Sequence, residues 1–399
     1  MWKAKGAFKK RMGLRYRKEI IVASVIFLLC CTFVACGSKE ESSGNFGGVT
    51  RATSGAGNYF LLLGDNETIS LNTYENNTIN EIRTFQVSDG AFLASVQEER
   101  VAILNTSENT VTLYEIQISE EIELSVPYRV KPKAILLHGG SLFIGGAIHE
   151  GMGEEMLIQY HIQSETWYQL EIPENLLQWG KAVDDLVVND RYLIAIDNVV
   201  LPKFILFYHL DSTGKLEFSH YRELKSNGPW ETIRQGRITP DYLGLLSRTE
   251  SGWVGPYEHI TIYDNLDLTS SFTLSIRSDW HGTVNGRTID VCTINDFLLV
   301  GNQLFLAHSS KGLGVFEIDD SYFGVDKYDY DCNYDYFYLM YSPRVDASKI
   351  NYTRFDNEEI IQLTLISNDD KFVLTIRNET EKIRHEVFCV QLGALISEE

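Results

Sequence analysis

Cysteine is too scarce to staple this chain. Of six cysteines, Cys30, Cys31 and Cys36 crowd near the N-terminus, leaving Cys292, Cys332 and Cys389, widely spaced and odd in number. That excludes a disulfide framework and a CxxC metal site; three separate buried thiols are expected, with one bridge and a free thiol as the alternative. Positive charge is scarce too, with 35 Lys and Arg against 55 Asp and Glu and a formal net charge of −20. Residues 1–35 hold eight basic residues and one acid, so the chain from Cys36 onward sits near −27. Such a polyanion is repelled by phosphate backbones and anionic head groups, which excludes a nucleic-acid partner. It fits a self-repelling exported domain, or an acidic face for a cationic partner. No stretch has the periodicity of a long helix. The apolar run Ile20–Ala35 spans 16 residues, short of the roughly twenty a bilayer-spanning helix needs. Signatures of catalysis are also missing. The nine histidines form no HxH or HExxH pair, no GxSxG occurs, and Gly151-Met152-Gly153 runs into Glu154-Glu155, which cannot cradle a phosphate.

What is present begins at the N-terminus. A basic head (Lys3, Lys5, Lys9, Lys10, Arg11, Arg15, Arg17, Lys18) precedes the apolar run, and small residues follow it. That order is an export signal. Phe33-Val34-Ala35-Cys36 resembles the lipobox of bacterial lipoproteins, with Phe33 where Leu is usual. The resemblance implies a signal peptide over residues 1–35, a diacylated (palmitate-type) Cys36 as mature N-terminus, and a lipid-anchored protein on the extracytoplasmic face of the cell membrane. Residues 36–57, rich in Gly, Ser and Thr, read as a flexible tether with an r.m.s. span of roughly 25 Å.

From residue 58 to 399 the texture is β. Apolar runs meet at short turns of Gly, Asn, Asp or Ser, as in Ile135–Ile144 across Gly139-Gly140 and Leu186–Ala195 across Asn189-Asp190. Leu298–Ala307 turns at Gly301-Asn302, and Leu365–Leu374 turns through Asn368-Asp369-Asp370. Each reads as a β-hairpin. The residues opening the second run fall at 59, 101, 142, 192, 242, 304 and 372, spaced by 42, 41, 50, 50, 62 and 68. Further strands follow each hairpin, as in Phe204–Leu210, the turn 211–214, then Leu216–Phe218. Four strands per unit at this period predict an all-β β-propeller of seven blades, within a range of six to eight. The wide last intervals leave room for long loops near 250–258 and 320–358. The resemblance to propeller proteins is architectural: the Trp-Asp dipeptide of WD40 repeats is missing, and so is the quinoprotein repeat pattern.

Three constellations are candidates for function. Trp230, Trp253 and Trp280 lie in inter-strand segments beside glycines; exposed tryptophans there can stack on sugars or anchor a peptide, and buried ones cap a core. The run Tyr328–Tyr336 alternates, placing Asp329, Asp331, Asn333 and Asp335 on one strand face. Oxygen ligands at this density suit calcium, and the run resembles the start of an EF-hand loop. Tyr334, however, stands where that loop needs Gly, and Met340 where it needs Glu, so a solvated acidic strand is the competing reading. Asp184, Asp185, Asp296, Glu317, Asp319 and Asp320 could supply the paired carboxylates of a propeller glycosidase, though nothing marks a pair. The function read from this is a non-enzymatic binding or scaffolding module with no required cofactor, its partner an envelope protein, a peptide or a glycan. The alternative is a carbohydrate-binding or carbohydrate-active propeller. An apolar channel favours the first and an aromatic pocket with clustered carboxylates the second.

Overall fold

Strands that alternate apolar and polar residues cover a core on one face, whereas the central strands here, such as Tyr192–Asp197 and Lys371–Asn378, are buried on both. A sheet must then lie on each side of them. The computed structural model describes residues 49–53, 59–65, 68–87, 92–127, 130–148, 155–170, 172–173, 183–189, 191–197, 203–210, 216–224, 231–249, 257–264, 268, 270–277, 294–324, 327–329, 339–341, 344–353, 355, 358–366, 371–378, 380, 382–391 and 393–396. Seven antiparallel sheets follow one another along the chain, and we number them as blades. Their inner strands are Tyr59–Gly64, Phe92–Gln97, Val130–His138, Val183–Val188, Glu231–Ile238, Ile294–Val300 and Glu358–Leu365. Within a blade, burial fades outward. The outermost strands Thr78–Gln86 and Glu120–Ser125 are mostly exposed.

Seven apolar clusters fill seven interfaces, each drawing on two neighbouring blades. One joins Leu61, Leu71 and Phe85 of blade 1 to Phe92 and Tyr114 of blade 2, and the succession runs round to blade 7. The seventh returns to the start, packing Phe60 and Leu62 against Ile366, Val373 and Val387. The ring is closed. The chain is a seven-bladed β-propeller. Six of the marks read from sequence fall within a residue of a second strand, at Arg100, Ser141, Tyr192, Tyr242, Gln303 and Lys371. The mark at Tyr59 opens an inner strand instead; the second strand of blade 1 starts at Thr68.

Inner strands face a geometric problem: their inward edge borders the axial channel, and buried N–H groups there need partners. A one-residue bulge recurs in blades 3–7, at Lys133, Asp184, Arg234, Asn295 and Ile361. In blades 4–7 the next residue is polar and buried: Asp185, Gln235, Asp296 and Gln362. Each reaches into the following blade. Asp185 Oδ2 accepts from Gly236 N at 2.5 Å, and Gln235 Nε2 donates to Asp296 Oδ1 at 2.6 Å. Asp296 Oδ2 accepts from Leu363 N at 2.9 Å, and Gln362 Oε1 from Leu63 N at 3.3 Å. Blade 2 does the same for blade 3 through Ser95 Oγ and Leu137 N, 3.0 Å apart.

Two additions break the regular count. Val49–Thr53, within the span read as tether, pairs in parallel with the inner strand of blade 2, on its channel edge. Between Glu317 and Asn351 the chain leaves blade 6 and crosses onto blade 5. There Arg344-Val345 add a parallel strand beside Thr273-Leu274. It then returns to complete blade 6 with Asn351–Thr353. Tyr322 and Phe323 on this excursion pack against Phe272, with centroids 5.7 and 5.0 Å away.

Candidate functional site

Trp230, Trp253 and Trp280 lie outside the described residues, but the strand ends that bracket them do not. In blade 5, Glu231 pairs with Thr249, Thr249 with Tyr257, and Tyr257 with Arg277. These four positions form one row across the blade. The connections 225–230, 250–256 and 278–293 all leave from this row or enter it. The three tryptophans, 23 to 27 residues apart in sequence, thus belong to connections at a single end of one blade.

That end is held by an ion pair between a buried carboxylate and an exposed guanidinium. Arg234, the bulged residue, donates to Glu258 Oε1 at 2.8 Å and to the Ile294 carbonyl at 3.2 Å. The other Glu258 oxygen accepts from the Ile294 amide. Glu258 is 3% exposed. Burial pushes its carboxyl above the usual carboxylate range, against the pull of Arg234, the Ile294 amide and Arg248. The clasp fixes Ile294, where the 278–293 connection rejoins the ring.

Of the acidic run, Asp329 lies on the short strand Lys327–Asp329, paired with Leu339–Tyr341 on the excursion from blade 6; Asp331, Asn333 and Asp335 lie outside the described residues. Among the described residues no three acidic, histidine or cysteine side chains gather as a metal site. Cys389 is buried and unbridged, while Cys292 and Cys332 also lie outside the described residues.

Four of the six carboxylates singled out for glycosidase chemistry hold partners in the ring or in a turn. Besides its contacts across the interface, Asp185 accepts from Leu186 N at 2.7 Å. Asp296 also accepts from Phe297 N at 2.8 Å and pairs with Arg237 at 3.0 Å. Asp184 pairs with Lys133 at 2.5 Å, and Asp319 caps a 3-10 turn through Ser321 N. Sequence reading missed Gln235, Arg237 and Gln362. The signal for the two glutamines was an aliphatic residue, any residue, then Asp or Gln, in Val183-Asp184-Asp185, Ile233-Arg234-Gln235, Ile294-Asn295-Asp296 and Ile360-Ile361-Gln362.

At the other end of the inner strands a cavity of about 780 Å³ opens where the inner hairpins of blades 3–7 turn. Its wall is largely aliphatic, including Leu186, Val188, Ile238, Leu298 and Leu365 with Arg237 among them, and its rim carries Thr239, Asp241, Asn302 and Gln391. Among the described residues no aromatic side chain lines it.

No known family's sequence profile matches the chain, and no curated protein matches it. Solved structures resemble it in fold. A functionally unknown protein from Desulfotomaculum acetoxidans DSM 771 is similar over 86% of this chain and 95% of its own, with 11% identity and a TM-score of 0.50. The β-propeller domain of Myceliophteria thermophila Cps50 (Swd1) covers 85% of this chain and 98% of its own at 13% identity and a TM-score of 0.49. For the WD40 domain of Neurospora crassa Pan2 the values are 87%, 90%, 9% and 0.48. At such identities the likeness is one of fold alone.

Proposed function

We propose that the protein is a lipid-anchored, extracytoplasmic propeller that captures a partner without acting on it chemically. The partner is another envelope protein, a peptide or a glycan, held at the tryptophan-bearing end of blade 5. The observation that carries this reading is the register row Glu231, Thr249, Tyr257 and Arg277, which all three tryptophan connections leave or enter. The anchor rests on Cys36 behind its export signal. Two of the carboxylates a hydrolase would draw on, Asp185 and Asp296, already accept backbone amides of the ring, which favours binding over hydrolysis.

The test uses the protein solubilised from membranes. A buried aromatic anchor is worth roughly 2 kcal/mol or more when truncated, so joint Trp230→Ala, Trp253→Ala and Trp280→Ala substitution should lower partner capture by at least about thirtyfold with the fold intact. Cys36→Ala should abolish fatty-acid labelling. Normal capture by the triple variant, with loss in Asp329→Asn plus Asp331→Asn, would move the site to the acidic run and bring calcium or a cationic partner forward. Labelled lipid on the Cys36→Ala protein would refute the anchor.

A further inference from the structure

We propose that the channel mouth framed by blades 3–7 is a second binding site, taking an extended peptide segment with aliphatic side chains flanked by basic residues. This goes beyond the tryptophan reading and does not depend on it. The inner strand of blade 5 runs eight residues from Glu231 to Ile238, which puts the two sites about 23 Å apart along the strand.

Three observations define the occupant. The cavity of about 780 Å³ is within the size range of pockets that enclose a drug-sized ligand. Its partly exposed wall residues Val188, Ile238, Leu365 and Val390 are aliphatic, matching branched aliphatic side chains. With no ring to stack on among the described lining residues, a sugar would lose its usual platform. The rim offers hydroxyl, amide and carboxylate groups at Thr239, Asn302, Gln391 and Asp241, donors and acceptors suited to the amides of an entering backbone.

Charge narrows the choice further. Arg237, the cation of the lining, is paired with Asp296 at 3.0 Å, which leaves Asp241, exposed at the rim, on a chain that sits near −27 from Cys36 onward. Fatty acids, phosphates and acidic peptides are repelled by that field, while Lys and Arg beside an aliphatic core are drawn in. The ring also holds an extended segment on its inner edge already: Val49–Thr53 lies parallel to the inner strand of blade 2. The mouth lies on blades 3–7 instead.

The test is selection of a displayed library of random peptides on the solubilised protein, counter-selected on Asn302→Trp. Asn302 is an exposed turn residue, so a tryptophan there narrows the mouth without entering the core. Selected peptides should share an aliphatic core with flanking Lys or Arg. They should bind Asp241→Lys about tenfold more weakly. They should bind the triple tryptophan variant unchanged, which separates this site from the one proposed above. Failure to recover any peptide that discriminates the parent from Asn302→Trp overturns the proposal. So does enrichment of acidic sequences, or competition at the mouth by palmitate or a neutral oligosaccharide rather than by peptide.

Discussion

At Asp296 one carboxylate accepts from the amides of Phe297 and Leu363, from Gln235 and from the Arg237 guanidinium, on a residue 5% exposed. Four groups from blades 5, 6 and 7 converge on it, so its removal strands the Phe297, Leu363 and Gln235 amides and takes the carboxylate from a partly buried Arg237 that keeps the Phe297 carbonyl. Breaking a buried pair in this way costs roughly 3–5 kcal/mol, and unsatisfied donors add to it. Asp296→Ala should therefore lower the urea midpoint by an amount corresponding to about 4 kcal/mol. A midpoint within 1 kcal/mol of the parent, on the same rough scale, would mean the interface is carried by Phe297 and Leu298 packing alone. Sequence reading named Asp296 and Asp185 among candidate carboxylates for hydrolysis, with nothing to mark a pair. The role of such a group is set by what faces it some 60 residues away, and no local pattern records that. Only the recurrence of aliphatic, any, Asp or Gln at blade spacing carries the information, and it is visible once the bulge is known.

At the scale of elements the hairpins were legible because their causes are local. Gly301 at φ +54 and Asn76-Asn77 at φ +54 and +62 occupy left-handed turn positions that most residues resist. The inner strand of blade 1 misled because Tyr59–Gly64 is as apolar as a second strand. The excursion from blade 6 was legible only as an over-long interval. Its path depends on contacts between Tyr322, Phe323 and Phe272, far apart in sequence. Lys349 anchors it, donating to the Tyr322 hydroxyl at 3.0 Å with its ammonium 4.4 Å from the ring centroid. Tyr322→Ala removes two aromatic contacts and the cation's platform together. The expected loss is about 2 kcal/mol, with faster amide exchange at Arg344 and Val345, where the excursion joins blade 5. Unchanged exchange there would show that the strand holds without the aromatic pin.

The whole ring stands or falls at its seam, because blade 7 is built wholly from the C-terminal residues 358–396 and blade 1 from residues 59–86. Among the described residues no strand is exchanged between them; the seam holds the small cluster around Phe60 and Val373, the Lys371 ammonium 5.2 Å from the Tyr74 ring centroid, and polar contacts. Gln362 accepts from Leu63 N at 3.3 Å, Asp65 Oδ1 from Ile383 N at 2.7 Å, and His385 Nε2 donates to the Leu63 carbonyl at 2.9 Å. Burial holds the His385 imidazole below its ordinary range, although the Leu63 carbonyl and the charges of Asp65 and Glu81 pull it upward. The neutral ring is therefore the form the seam prefers. Above pH 6.5, the ordinary value, folded and unfolded chains both carry it neutral and its contribution is complete. As pH falls below that value the unfolded chain takes up the proton first, and stability is lost until the lower folded value is passed. His385→Gln keeps a donor for Leu63 and removes the titration. Between about pH 7.5 and 5.5, a window spanning the ordinary imidazole range, the urea midpoint of the parent should fall further than that of the variant. Parallel curves would place the pH response elsewhere in the ring and leave Gln362 and Asp65 as the contacts that close it.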